Sequence, residues 1–261
     1  QFNEKEQTWP YYSFYLYEDP SINFSKRPQV QSYTQNSKSA LFNGMINPII
    51  PYNIKGSIWY QGENNVSRFK EYETLFPAMI KDWRKKWNSN FPFYFVQIAP
   101  FENYNGLSSS LRNVQRKTLK VEKTGMVVTL DIGEIDDIHP SNKHDVGYRL
   151  AGLALSNDYG KPMVASGPLY KNFEVSGNTL NVTFDFIGSG LTSYDKELSA
   201  FEIAGADKKY VAAEAYIKNN KVYIYSSKIQ NPKYARYAWK DTSVASLFNK
   251  EGLPASTFTT E

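Results

Sequence analysis

Between residues 39 and 159, short apolar runs alternate with longer segments whose apolar residues recur at helical spacing. The runs at 56–60, 93–98 and 126–130 predict strands, and the segments 40–50, 69–87, 108–122 and 143–158 predict helices. Strands separated by helices imply parallel pairing through crossover connections, an α/β arrangement. In the second helix Leu75, Phe76, Met79, Ile80, Trp83 and Trp87 fall at helical spacing and are expected in the core. In the fourth, Val146, Leu150, Leu153 and Ala154 share one face.

The rhythm changes between residues 160 and 166. Beyond it, residues 216–218 and 221–225 flank the turn-prone pair Asn219-Asn220, a hairpin signature. Residues 173–184 pair similarly around Ser176, Gly177 and Asn178, and further strands are expected at 200–204 and 235–239. This predicts an antiparallel module over 162–261, a small β-sandwich. Residues 1–38 are Tyr-rich, with Pro10, Pro20 and Pro28 spaced against any long helix or strand, and read as an irregular arm. The expected organisation is therefore an arm (1–38), an α/β domain (39–161) and a β-rich module (162–261).

A chain of 261 residues has room for a substantial core. Its 30 basic and 26 acidic residues are scattered and leave only +4, so no nucleic-acid surface is implied. The densest basic stretch, 81–86 (KDWRKK), reads as a solvated helix face. No apolar run approaches the roughly 20 residues of a membrane helix, and no signal peptide stands at Gln1. Zero cysteines exclude disulfides, thiol nucleophiles and cysteine-bound zinc. The 20 Tyr, 16 Phe and 5 Trp suit a well-filled β core or sugar-facing surfaces.

The chemistry concentrates at the exits of two predicted strands, where open α/β sheets bind their ligands. After 126–130 comes the polar loop DIGEIDDIHPS, in which His139 follows Asp136 by three residues and Asp137 by two. A nearby carboxylate can hold the imidazole Nδ1–H and leave Nε2 free to take a proton from a nucleophile. Asp136, Asp137 and a backbone carbonyl are all candidates for that role. The alternative is a loop histidine whose ring caps the following helix. His144 lies inside that helix and reads as a surface residue, and its separation from His139 across Pro140 argues against a metal site. After the strand at 56–60, Gln61, Gly62, Glu63, Asn64 and Asn65 form a polar turn from which a side-chain amide can be aimed into a site. Trp59 and Tyr60 could stack on a sugar, although strand alternation turns one of them into the core.

Together with LFNGMI at 41–46, GSIWYQGENN at 56–65, LFPAMIKDWRKKW at 75–87 and FNKEGLPAS at 248–256, these residues closely resemble the sialate O-acetylesterase family of SGNH-type hydrolases. The resemblance runs from about residue 35 to the C-terminus. It implies a flavodoxin-like, three-layer parallel sheet lacking its first strands. That family carries its nucleophilic serine upstream in a Gly-Gln-Ser-Asn-Met type motif, and no serine of this chain stands in such a setting. The chain is accordingly expected to be the C-terminal part of a longer esterase.

The resemblance implies serine–histidine acyl transfer without cofactor or metal, with His139 as base and Gln61 donating to the oxyanion. Asp136 fits the Asp-x-x-His spacing common in SGNH hydrolases, and Asp137 fits the family's Asp-Ile-His-Pro form. Glu63, Asn64 and Trp59 are expected near the substrate, Glu63 also as an orienting group. The implied substrate is an O-acetylated sialic acid or another acetylated sugar such as a xylan unit. The contrasting reading is a non-catalytic carbohydrate-binding or accessory protein that retains the fold. An incomplete parallel sheet exposes an edge, so a missing N-terminal half or a second copy is expected beside it. Neither nucleic acid nor membrane is an expected partner, and a periplasmic or extracellular location follows from the resemblance.

Overall fold

The structure, a computed structural model, describes Thr34 and residues 37–261. The arm expected over 1–38 lies almost wholly outside the described residues. Of the helix expected over 40–50, Phe42–Ile46 forms a wide helical turn and Asn47–Ile49 a tight one. The chain divides after Pro51, and Tyr52–Glu261 is one compact unit.

Within that unit, β1 (Ser57–Trp59), β2 (Phe93–Val96) and β3 (Thr124–Val127) form a parallel sheet in the order β1-β2-β3. The crossovers are α1 (Phe69–Lys86) and α2 (Ser108–Lys117), the latter tightened at its end through Thr118–Lys120, and α3 (Lys143–Asn157) follows β3. Successive residues of β2 face opposite ways, as the pleat requires. Phe93 and Phe95 pack with Phe76, Ile80 and Leu111 on one side, and Tyr94 and Val96 pack with Val146, Leu150 and Leu153 on the other. Helices therefore cover both faces of β2.

Two helix expectations are corrected. Leu75 is 59% exposed, because the buried stripe of α1 runs through Tyr72, Phe76 and Ile80 and leaves Leu75 on its flank. The stretch 81–86 is not wholly solvated either. Arg84 is buried and donates to the carbonyls of Phe91, Glu122 and Lys123 at 2.9–3.0 Å, closing the loops at the N-terminal edge of the sheet.

The remaining strands are β4 (Leu169–Ser176), β5 (Thr179–Asp185), β6 (Leu191–Thr192), β7 (Phe201–Ala204), β8 (Val211–Ala212), β9 (Glu214–Lys218), β10 (Lys221–Tyr225), β11 (Tyr234–Tyr237), β12 (Phe248–Asn249) and β13 (Phe258–Thr259). They form antiparallel sheets in the orders β4-β5-β10-β9, β13-β11-β7-β8 and β12-β6. Leu180, Val182, Val222 and Ile224 of the first share a core with Ile203, Ala235, Tyr237 and Phe258 of the second. The β9–β10 turn places Asn219 and Asn220 at φ 51° and 56°, the positive values that a two-residue hairpin of this twist needs.

α2 is buried almost all round although its sequence is polar. The antiparallel part supplies its partners. Arg112, fully buried, donates to Thr257 Oγ1 at 3.0 Å and to the carbonyls of Ala238 and Lys240 at 3.1 and 2.7 Å. Asp241 caps the start of the helix, accepting from Ser108 N–H (3.0 Å), Ser108 Oγ (2.6 Å) and Gly106 N–H (2.5 Å). A carboxylate at a helix N-terminus satisfies otherwise orphaned donors and complements the helix dipole.

Candidate active site at the strand exits

Because β1 and β3 run parallel on either side of β2, the segments that leave them emerge at the same edge of the sheet. The first carries Gln61–Asn65 and the second carries Asp131–Asn142. Lys143, at the start of α3, connects the two. Its Nζ donates to the carbonyl of Pro140, next to His139, and lies 5.6 Å from the ring centroid of Tyr60, next to Gln61.

The β1 exit turns sharply at Gly62, where φ is 153°. A Cβ there would meet Ile98 Cγ2 at 2.9 Å, Gln115 Nε2 at 3.1 Å and Leu111 Cδ2 at 3.2 Å, so the turn lies directly on α2 and the exit of β2. A short helical turn, Glu63–Arg68, then leads into α1. Gln61 Nε2 donates to Asn65 Oδ1 at 2.7 Å, which fixes the amide and leaves its second N–H uncommitted among the described residues.

Glu63 is half-buried and its negative charge reaches three tyrosines around it. Burial, reinforced by Glu63, pushes the Tyr60 hydroxyl up to about 12. The same two causes, burial first, raise the Tyr104 hydroxyl, and burial raises that of Tyr72. All three phenols stay protonated at neutral pH, and that of Tyr72 donates to Gln61 O at 3.4 Å. Asn64 is exposed at the rim.

Trp59 points away from this rim. Its ring contacts Phe76 at 6.4 Å, Trp83 at 5.7 Å and Phe93 at 6.2 Å between centroids, which is a packing position beneath α1 rather than a sugar-facing one. Tyr60 takes the opposite face of the strand and packs against the α3 cluster.

The β3 exit is anchored at its base and clasped at its crown. At the base, Arg149 donates to both oxygens of Asp131 at 2.8 and 2.5 Å and to Val128 O at 2.7 Å. Gly133 lies against Pro100, where a Cβ would come within 2.5 Å of Pro100 Cδ. At the crown, Glu134 Oε1 accepts from Ser141 N–H (2.7 Å) and Ser141 Oγ (2.5 Å), closing the segment that carries Asp136, Asp137 and His139. These hydrogen bonds hold the Glu134 carboxyl below its ordinary value.

His139 is exposed at the tip of that loop. Asp137 Oδ1 accepts from the backbone N–H of His139 at 2.7 Å, so this carboxylate builds the turn. Neither Asp136 nor Asp137 is hydrogen-bonded to the imidazole among the described residues. The helix-capping alternative for His139 is corrected: the cap of α3 is Asn142, whose Oδ1 accepts from Asp145 N–H at 3.1 Å. His144 is exposed, with Nδ1 3.4 Å from Asp145 Oδ1. Among the described residues no three His, Cys, Asp or Glu side chains are grouped to hold a metal ion. No helix there is long and apolar enough to cross a membrane.

The structure adds residues that the sequence pattern did not single out: Gln115, Lys143, Tyr104 and Asp241. Gln115 carried one readable signal, since it shares the apolar stripe of α2 with Leu111, Val114 and Thr118. A polar side chain there must be satisfied internally.

Comparison with known proteins gives a consistent result. The chain is 32% identical to mouse (Mus musculus) sialate O-acetylesterase over 193 residues, which are 64% of this chain and 36% of that protein. It is 32% identical to the human (Homo sapiens) sialate O-acetylesterase over 179 residues, 59% of this chain and 34% of that protein. It thus spans about a third of the length of these relatives. A solved structure of a carbohydrate acetylesterase from Xanthomonas citri superposes with a TM-score of 0.81 at 38% identity, covering 85% of this chain and 54% of that one. Residues 27–156 match the family described as SASA, carbohydrate esterase, sialic acid-specific acetylesterase, and the chain belongs to this family.

Proposed function

We propose that this chain supplies the base and one oxyanion donor of a carbohydrate esterase that removes O-acetyl groups from sialic acid or a related acetylated sugar. The observation that carries the reading is the convergence of the Gln61 turn and the His139 loop at one edge of the parallel sheet, linked by Lys143. The nucleophilic serine is assigned to residues outside these 261. It attacks the acetyl carbonyl, His139 takes its proton, and the developing oxyanion draws on the uncommitted N–H of Gln61. His139 then delivers the proton to the departing sugar oxygen, and water repeats the sequence on the acetyl-enzyme. No cofactor enters these steps.

On this reading the three strands are the C-terminal share of a flavodoxin-like SGNH sheet with helices on both faces, and the two facing antiparallel sheets are a β-sandwich module. Ile58 of β1 is 69% exposed on the edge strand of the described sheet, which favours a further strand, from the remainder of the esterase or a second copy, beside it. A periplasmic or extracellular site of action accords with sugar esters as substrates.

The test is acetate release from O-acetylated sialic acid and from acetylated xylo-oligosaccharide by the serine-bearing protein. Wild type should release acetate from at least one of them, and His139→Ala should lower the rate by about three orders of magnitude or more. Sugar binding with no release in wild type would favour the accessory-protein reading instead.

A further inference from the structure

One buried side chain ties the exit of β1 to the exit of β2. Gln115 is 1% exposed, and its amide is fully used. Oε1 accepts from Ile98 N–H at 2.9 Å, and Nε2 donates to Val96 O at 3.1 Å and to Gln61 O at 3.3 Å. The β2 side of this clamp is itself rigid. Gln97, between the two bonded residues, donates from Nε2 to Arg112 O at 2.9 Å, and its carbonyl accepts from Thr129 Oγ1 at 2.7 Å. The Gln61 carbonyl is therefore referenced to the core of the sheet through α2.

At the other end of the same residue, the Gln61 amide is held by Asn65. The Gln61 side chain is thus fixed by the Asn65 amide and its carbonyl by the Gln115 amide together with a longer bond from Tyr72 Oη at 3.4 Å, and Gly62 brings the chain close enough for Gln115 to reach it. An oxyanion donor gains its advantage from being preorganised to within about 0.5 Å of its working position. We propose that Gln115 is a positioning residue for catalysis, holding the β1 exit so that the uncommitted Nε2–H of Gln61 faces the developing oxyanion. The inference rests on the esterase reading above and on Gln61 as donor.

The test is a double-mutant cycle on acetyl-ester hydrolysis by the serine-bearing protein. Gln61→Ala should lower kcat by about a hundredfold and leave KM nearly unchanged, as expected for a group that acts only in the transition state. Gln115→Met, close in volume and without amide donors, should lower kcat by about ten- to a hundredfold, again with KM within about twofold. The double variant should be no slower than Gln61→Ala alone, because the second change removes support from a donor already gone. Multiplying losses, or a Gln115→Met variant with wild-type kcat, would overturn the inference while leaving Gln61 in place. Full kcat in Gln61→Ala would overturn the donor assignment and the inference with it.

If Gln115→Met does not fold, Gln115→Glu enters the same cycle. It keeps the acceptor for Ile98 N–H but turns a carboxylate oxygen toward Gln61 O and Val96 O. Its kcat relative to wild type should recover as pH falls and the carboxyl regains a proton to donate. A flat ratio across pH would count against the positioning role.

Discussion

Replacing Arg112 by Met tests how α2 is joined to the antiparallel part of the molecule. The guanidinium makes three hydrogen bonds inside the protein and is fully buried, and burial pulls its pKa down to about 10, so it is charged at neutral pH. Charge-assisted bonds contribute roughly 1.5–3 kcal/mol each, or about 5–9 kcal/mol for three. Against that, methionine avoids the burial of a charge, a gain of several kcal/mol. Neither carbonyl is orphaned, since Ala238 O keeps Thr257 Oγ1 at 3.4 Å and Lys240 O keeps Ser243 N–H at 3.2 Å, so the loss is that of the charge-assisted bonds themselves less this gain. The expected net loss is about 2–4 kcal/mol, which for a unit of this size is roughly 4–16 °C in Tm. Urea unfolding followed by tryptophan fluorescence and by far-UV circular dichroism measures it. Of the described tryptophans, Trp59, Trp83 and Trp87 pack against the parallel sheet and circular dichroism averages over all elements, so coincident transitions would show that both parts unfold together. A loss under about 0.5 kcal/mol with an unchanged m-value would refute the reasoning. Arg112→Lys should be nearly as destabilising as methionine, because an ammonium keeps the charge but not the planar fork.

Three further expectations follow from local geometry. Gly167→Ala places a Cβ 2.1 Å from Pro254 O, a backbone atom that cannot swing aside, and should lower stability by about 3 kcal/mol or more in the same urea assay. Asp137→Asn retains an oxygen to accept from His139 N–H and should keep acetyl-ester hydrolysis within about threefold, while Asp137→Ala should lose more; equal, large losses in both would make Asp137 the imidazole's partner instead. The Glu134 clasp depends on pH. Its folded-state pKa is depressed by its bonds to Ser141, so the clasp's contribution is complete above the unfolded carboxyl value and is lost as pH falls through the folded one. Protection of the Ser141 amide against hydrogen exchange should therefore fall on acidification below about pH 4, and Glu134→Gln should abolish that dependence.

The elements that position the site were legible where local spacing decides structure. β1, β2, α1 and α3 begin within about one residue of their predicted starts, since their apolar periods and turn residues agree. β3 starts at Thr124, before its apolar run, because pairing with Phe93 sets its register. The Asn219-Asn220 turn was readable because few residues other than glycine tolerate two consecutive positive φ values. What the pattern missed is tertiary. Arg84 and Arg112 are polar residues that a periodicity argument assigns to solvent, and Gln115 falls on the buried stripe of α2 without its partners being readable; each is buried because carbonyls far along the chain or in neighbouring loops accept its protons. Likewise, sequence placed carboxylates beside His139 but not their orientation: Asp137 is spent on a backbone N–H, a choice made by the turn and not by residue spacing.

The measurement that bears most directly on the central claim is intact mass after treatment with a fluorophosphonate, which labels only a serine activated by its base. The serine-bearing protein should gain one adduct, and the gain should vanish in His139→Ala. The folded 261-residue chain should stay at its unmodified mass. An adduct mapped to a serine within these residues, or undiminished labelling without His139, would contradict the account.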